Sequence, residues 1–325
     1  MLPAKYEEAV EEFLIIAGSL REKRHELTGI ASAKELREGP SDVLAADLQS
    51  ERRLVPELCK LWPGVPVLCE EAGTSNLSEL VPDVDVLPWG DDVTDVPPKV
   101  ISVDGLDGSA LYANGELGLT AISAGLVVDG RPMAAIVLCL TDSEAYVVDS
   151  RPGVDILLHQ YYGFPIRQEP KRPLRESLIG LDDCKSVDGR FRRLVINRLT
   201  GSPGTKYPLN VPSCAGALKV LEGKLAAYVT SNTRHWDIAG TAALCEAAGM
   251  IVRCLDGSPV PWNRVRMPPV VFARDEEAFA YVQEMAKDFL VAKDRPVPIE
   301  EDHKRGGRLA DNKEIDEPPA PSEWE

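Results

Sequence analysis

The chain has 325 residues, 44% of them hydrophobic and 27% charged, enough to bury a large core in one big domain or two modest ones. With 36 Lys and Arg against 52 Asp and Glu, the net charge is −16 and the pI about 4.8. Nucleic-acid polymers and anionic membranes, which need basic patches, are therefore excluded as partners, while a small anionic substrate held through a metal is not. The seven cysteines (59, 69, 139, 184, 214, 245 and 254) form no Cys-x-x-Cys pair. That argues against a disulfide framework or zinc site and for a reducing cytoplasm. The acidic, amphipathic N-terminus is unlike a signal peptide, and no apolar run approaches the length of a membrane span.

Tyr6, Ala9, Val10, Phe13, Leu14, Ala17 and Leu20 recur at helical spacing, with glutamates at the start and arginines at the end, as the helix dipole favours. A polar loop over 29–40 leads to a second helix over about 41–61, capped by Ser41 or Asp42, with Asp47 inside its apolar stretch. Residues 65–69 read as a short strand that ends in Glu70-Glu71. Residues 72–99, rich in Pro, Asp, Thr and Ser, read as a long mobile loop or flap with Trp89 as an anchor.

Val100 to Val103 form a strand that runs into Asp104-Gly105-Leu106-Asp107-Gly108-Ser109. Residues 119–128 and 132–140 are apolar runs joined by Asp129-Gly130-Arg131, a hairpin signal, and 145–148 add a third strand. This meander predicts a largely antiparallel sheet. Between 151 and 212 the pattern weakens, and 154–159, 177–181 and 193–196 read as strands or short helices. A helix over 213–222 ended by Gly223, a strand over 225–230, a small-residue helix opened by Asp237 and closed by Gly249, and a helix over 276–290 complete the globular part. Beyond Lys293 the Pro- and acid-rich segment reads as a disordered tail. Residues 1–292 are thus expected to form one domain, with an N-terminal part over 1–150 and a C-terminal part over 151–292.

The carboxylates that end apolar runs or open helices are Glu70, Glu71, Asp104, Asp107 and Asp237. Such a set, beside a glycine-serine turn whose N–H groups can receive an anion, suits a multi-magnesium phosphatase. Spacing rules out an EF-hand at Asp104, and no nucleophile elbow or Walker loop is present.

Asp47, Glu70-Glu71, the Asp104–Ser109 run, Trp236-Asp237-Ile238-Ala239-Gly240 and Glu246 to Gly249 occur in an order that resembles the inositol monophosphatase superfamily of magnesium-dependent, lithium-sensitive phosphatases. The resemblance implies a layered α-β-α-β-α sandwich, an α+β or α/β fold shared with fructose-1,6-bisphosphatase, commonly as a homodimer. It implies Glu70, Asp104, Asp107, Asp237 and the Leu106 carbonyl as ligands of two or three Mg2+ ions. Asp107, Gly108 and Ser109 would hold the phosphate, and Ser109 with Glu70 or Asp47 would help activate the attacking water. Lithium would inhibit.

Three departures stand out. Gly105 replaces the family's proline, which should loosen the turn, and Ser109 replaces threonine. Thr230 stands where inositol-specific members carry a glutamate that binds sugar hydroxyls, which leaves Thr230 and Ser213 as the substrate-side positions. The stretch 221–229 looks more like the 3′(2′),5′-bisphosphate nucleotidase branch, although a lysine typical of that branch is Gly216 here. The expected substrate is a small ribose, nucleotide or polyol phosphate such as adenosine 3′,5′-bisphosphate. Inositol 1-phosphate or another sugar phosphate is the alternative, and a catalytically silent phosphate-binding homologue is the reading from another class.

Overall fold

The computed structural model describes residues 2–24, 45–72, 77–87, 93–141, 145–154, 156–161, 171–182, 191, 195, 209–231 and 233–293. The 29–40 loop, the start of the second helix, Trp89, Cys184, most of 193–196 and the C-terminal tail lie outside the described residues.

Helix α1 (Ala4–Glu22) buries Tyr6, Val10, Phe13, Ala17 and Leu20 along one stripe, as its spacing requires. It lies beside α2 (Ala45–Leu61). Together they cover one face of a six-stranded sheet of β1 (Val67–Cys69), β2 (Lys99–Asp107), β3 (Ala121–Val128), β4 (Arg131–Cys139), β5 (Ala145–Asp149) and β6 (Ile156–Tyr161), in that order. Only the β1–β2 pair is parallel; the rest is the antiparallel meander that the sequence predicts. At the β3–β4 turn, Asp129 and Gly130 both take positive φ (51° and 68°), the conformation a tight hairpin needs. Tyr6 donates to the buried Asp149 carboxylate, which also pairs with Arg151 at 2.6 Å, and this ties α1 to β5.

Alternation along the strands sorts the two faces. Ile101, Val103, Ile122, Ala124, Ile136 and Leu138 point to α1 and α2, whereas Val100, Ala121, Val127, Ala135 and Val137 point the other way. That second face packs on α5 (Ser213–Leu221) and α6 (His235–Ala247), which in turn cover a second sheet. The second sheet has the order β10-β11-β9-β7-β8, from β7 (Leu178–Leu181), β8 (Leu209–Asn210), β9 (Leu225–Thr230), β10 (Ile251–Cys254) and β11 (Val270–Ala273). Its far face packs on α7 (Glu276–Lys293). The result is five layers, α-β-α-β-α, the α+β sandwich expected from the sequence.

The 72–99 segment differs from the free flap expected. It holds a short helix, α3 (Leu77–Leu80), and its described part is tied down on both sides. Val67 N–H donates to Asp85 at 2.9 Å and Leu87 N–H to Val67 at 2.8 Å, so residues 85–87 flank β1. Val96 N–H donates to Asn263 at 3.0 Å, and Val265 N–H donates back to Val93 at 3.0 Å. These bonds satisfy backbone groups that a loop would leave to water, with partners too distant in sequence to leave a local signature. No helix among the described residues is long and apolar enough to cross a membrane.

Candidate active site

A regular strand points residues three apart to opposite faces, yet Asp104 and Asp107 both line one cleft. The reason is a bulge at the end of β2: three steps from Asp104 to Asp107 match two on β3, from Ser123 to Ala121. Asp104 folds back to accept the Leu106 N–H at 2.9 Å. The chain then passes Gly108, whose φ of +86° disfavours any side chain, into the short helix α4 (Ser109–Asn114).

Gly105 does not loosen this turn. A Cβ there would lie 2.9 Å from Glu51 Cγ and 3.0 Å from the Asp47 carbonyl oxygen, so the bulge is pressed onto the backbone of α2 and glycine is what permits the approach. Glu51 itself is fully buried, and its two oxygens accept the Glu71 N–H at 3.1 and 3.2 Å. Burial pushes its carboxyl well above the usual range, partly opposed by that N–H. The helix thus grips both the Asp104 bulge and the Glu70-Glu71 turn.

One oxygen each of Glu70, Asp104 and Asp237 lies within 4.8 Å of the other two. Asp237 does not open its helix as expected; α6 starts at His235, and Asp237 lies in the first turn with Arg234 as the cap residue. Its Oδ2 reaches back to accept the Arg234 N–H at 2.6 Å and the Thr233 hydroxyl at 2.9 Å. Asp107 Oδ2 accepts the Cys214 N–H at 2.7 Å, which fixes it to the start of α5. Ser109 Oγ donates to Asp47 Oδ1 at 2.7 Å and lies 2.9 Å from the Leu106 carbonyl oxygen.

Glu70, Asp104, Leu106, Asp107, Gly108, Ser109, Ser213 and Asp237 all line a cleft of about 540 Å³. Asp47, 4% exposed, lies behind Ser109. Glu71 and Thr230 do not line the cleft. Glu71 is 7% exposed, and Thr230 is fully buried, with its hydroxyl 3.4 Å from Asp182 Oδ2. Gly216, which stands where the nucleotidase branch carries a lysine, lies beneath the Tyr228 ring, and a Cβ there would fall 2.3 Å from it. No longer side chain fits without moving that ring.

Burial, followed by the charges of neighbouring carboxylates, pushes Glu70 and Asp104 well above the usual carboxylate range. The same causes raise Asp107 to about 8; burial raises Asp237 to about 6, the Arg234 and Thr233 hydrogen bonds opposing it. A buried, all-oxygen, mutually repelling set of this kind fits a hard divalent cation, whose charge would relieve the repulsion.

Three residues escaped the sequence reading. Glu51 was one more polar residue on a helix. Asp182 follows β7 in a segment of weak pattern, although carboxylates at strand ends in α/β layers are a signal that could have found it. Arg234 has no sequence signal of its own beside Trp236-Asp237. We expect Glu51→Ala to weaken Mg2+ binding, read as its dissociation constant by calorimetry, by at least about tenfold, as removing a ligand's support does. Glu51→Gln, which keeps an acceptor for Glu71 N–H, should stay near wild type. An unchanged magnesium affinity in Glu51→Ala would reject the positioning role.

Residues 3–289 match the family model described as the inositol monophosphatase family. A protein of Mycobacterium tuberculosis described as probable inositol 1-monophosphatase ImpA is 28% identical over 191 residues, which cover 56% of this chain and 68% of that protein. The extragenic suppressor protein SuhB of Bartonella henselae superposes with a TM-score of 0.66 at 17% identity, over 88% of this chain and 99% of that one. SaIMPase-II with inositol monophosphate bound superposes with a TM-score of 0.62 at 17% identity, over 89% and 98%.

Proposed function

Because the chain belongs to the inositol monophosphatase family, whose members are phosphoric monoester hydrolases, we propose that it is a magnesium-dependent phosphomonoesterase acting on a small ribose, nucleotide or polyol phosphate. The observation that carries this reading is the convergence of Glu70, Asp104 and Asp237 within 4.8 Å, in the same cleft as the Gly108-Ser109 turn. In it Glu70, Asp104, Asp107, Asp237 and the Leu106 carbonyl hold two or three Mg2+ ions, for which lithium competes. When bound, the ions supply charge neutralisation at the phosphate and the leaving oxygen, and acidify water.

The chain's own groups do the rest. Ser109 Oγ donates a hydrogen bond to the Asp47 carboxylate, which leaves its lone pairs to accept from the attacking water. Asp47 or Glu70 then takes up the water's proton. Asp107, immobilised by Cys214 N–H, and the Gly108 and Ser109 N–H groups orient the phosphate for attack without reorganising during the reaction. The remaining partner proposed is a second copy of the chain.

Thr230 and the 221–229 stretch support a nucleotide or ribose ester over inositol 1-phosphate, the substrate that the relative's description suggests. A phosphate-release panel with and without Mg2+ tests this. Its members are adenosine 3′,5′-bisphosphate, nucleoside 2′- and 3′-phosphates, inositol 1-phosphate and fructose 1,6-bisphosphate. Turnover of the nucleotides at least about tenfold above inositol 1-phosphate, a difference of about 1.4 kcal/mol in transition-state binding, is the expected result. The reverse order would assign the chain to inositol phosphate, and no magnesium-dependent release from any member would favour the silent homologue.

A further inference from the structure

The carboxylates of the cleft are held from α2, α5 and the turn before α6. The backbone of the Gly108-Ser109 turn has a further anchor on α1, a helix that contributes no residue to the cleft.

That anchor is Tyr112. It belongs to α4 and is fully buried in the cluster that fills the space between α1, α2 and the first sheet. Its hydroxyl donates to the Leu20 carbonyl, in the last turn of α1, at 2.7 Å. Its backbone N–H donates to the Gly108 carbonyl at 3.0 Å, beside the Leu111 N–H at 2.8 Å. A trans peptide is planar, with its C=O and N–H on opposite sides. Two donors from α4 that hold the Gly108 carbonyl therefore also set the direction of the Ser109 N–H, the other end of the same peptide. One residue thus joins that peptide to α1.

The end of α1 returns the contact. Arg24 Nη1 donates to the Ala113 carbonyl of α4 at 3.1 Å, and Arg21 Nη1 donates to the Leu140 carbonyl, just past β4, at 2.6 Å. The last turn of α1 is thereby tied to the first sheet as well as to α4. A phenyl ring at position 112 would fill the same space; the hydroxyl adds a bond of fixed distance and direction.

We propose that Tyr112 is a positioning residue for the phosphate: with Arg24 it latches α4 to the end of α1 and so holds the Ser109 N–H where a phosphate oxygen meets it. This rests on the phosphatase reading of the cleft.

Tyr112→Phe removes one oxygen and keeps the ring. It is expected to weaken inorganic phosphate, read as its dissociation constant by calorimetry at saturating Mg2+, by about threefold to tenfold, the reach of one ordinary hydrogen bond. KM for p-nitrophenyl phosphate should rise in step, with a smaller change in kcat. The Mg2+ dissociation constant without phosphate should be unchanged, because the carboxylates are held elsewhere. Arg24→Met cuts the latch from its other end and should give the same split, while Arg24→Lys keeps a donor and should restore most of it. Phosphate should also slow amide exchange in the last turn of α1 in wild type and not in Tyr112→Phe, since coupling between two sites is reciprocal.

Variants that melt earlier with phosphate affinity and KM unchanged would make Tyr112 a packing residue and overturn the proposal. Phosphate and metal affinity falling together would overturn it too, because the effect would then lie in the site as a whole. Should Tyr112→Phe not fold, the Arg24 pair carries the same test. Wild type that binds phosphate without releasing it from p-nitrophenyl phosphate would overturn the phosphatase reading and keep the latch, which the dissociation constants still read. Release with equal phosphate dissociation constants in wild type and variants would do the opposite, and wild type that neither binds nor releases phosphate would overturn both.

Discussion

Replacing Asp104 with asparagine is expected to lower magnesium-dependent phosphate release by at least about a thousandfold, the scale of losing several kcal/mol of charge stabilisation. The fold should survive. Asp104 is 1% exposed among Glu70, Asp107 and Asp237, so in the metal-free protein its charge is a burden that the amide relieves. Metal-free Asp104→Asn should therefore melt above metal-free wild type, while its stabilisation by Mg2+ shrinks. The amide oxygen can still accept the Leu106 N–H, so the bulge keeps its shape. Asp237→Asn should lose activity to the same extent for a different reason. Its Oδ2 already serves the Arg234 N–H and the Thr233 hydroxyl, and an amide has only one oxygen to divide between those donors and an ion. Activity, circular dichroism and melting with and without Mg2+ check both. Wild-type turnover in either variant would refute the ligand assignment.

Magnesium should stabilise the protein more at pH 8 than at pH 5.5. In an unfolded chain the carboxylates ionise near about pH 4, whereas in the folded protein burial and mutual repulsion raise Asp107 to about 8 and Asp237 to about 6. A raised folded pKa gives stability that is present at low pH and lost as pH climbs through it, so the metal-free protein weakens between about pH 4 and 8. A cation binds the ionised form and cancels that loss. His235 works in the other direction: fully buried, with Nδ1 2.8 Å from Ser102 Oγ, it is pushed down to about 4 by burial and costs stability as pH falls below about 6.5. That cost is common to samples with and without metal and drops out of the difference. The increase in Tm on adding Mg2+ should be larger at pH 8 by at least about 3 °C, which corresponds to roughly 1 kcal/mol for a domain of this size. An equal or smaller increase at pH 8 would show that these carboxylates do not hold the ion.

Much of this was legible in the residues themselves. The helical stripe of α1, the Asp129-Gly130 turn and the Asp104–Ser109 run are local signals, in which a period or a turn chemistry is complete within a dozen residues. What could not be read depends on approach between distant segments. Gly105 looked like added freedom and is a contact with α2. Glu51 is engaged by an N–H twenty residues away, and Asp182 reaches the cleft beside the buried Thr230. In the second sheet β9 pairs with β11 and β7, neither of them its neighbour in sequence, so the place of β7 and β8 could not be read in advance.

The bond from Cys214 N–H to Asp107 spans 107 residues and joins the two sides of the cleft. The first sheet supplies Asp104 and Asp107, and the helices between the sheets supply Asp237 and the bond that holds Asp107. Any movement of α5 against the first sheet would shift one carboxylate of the cleft relative to the others, so the packing between the layers sets the geometry of the site.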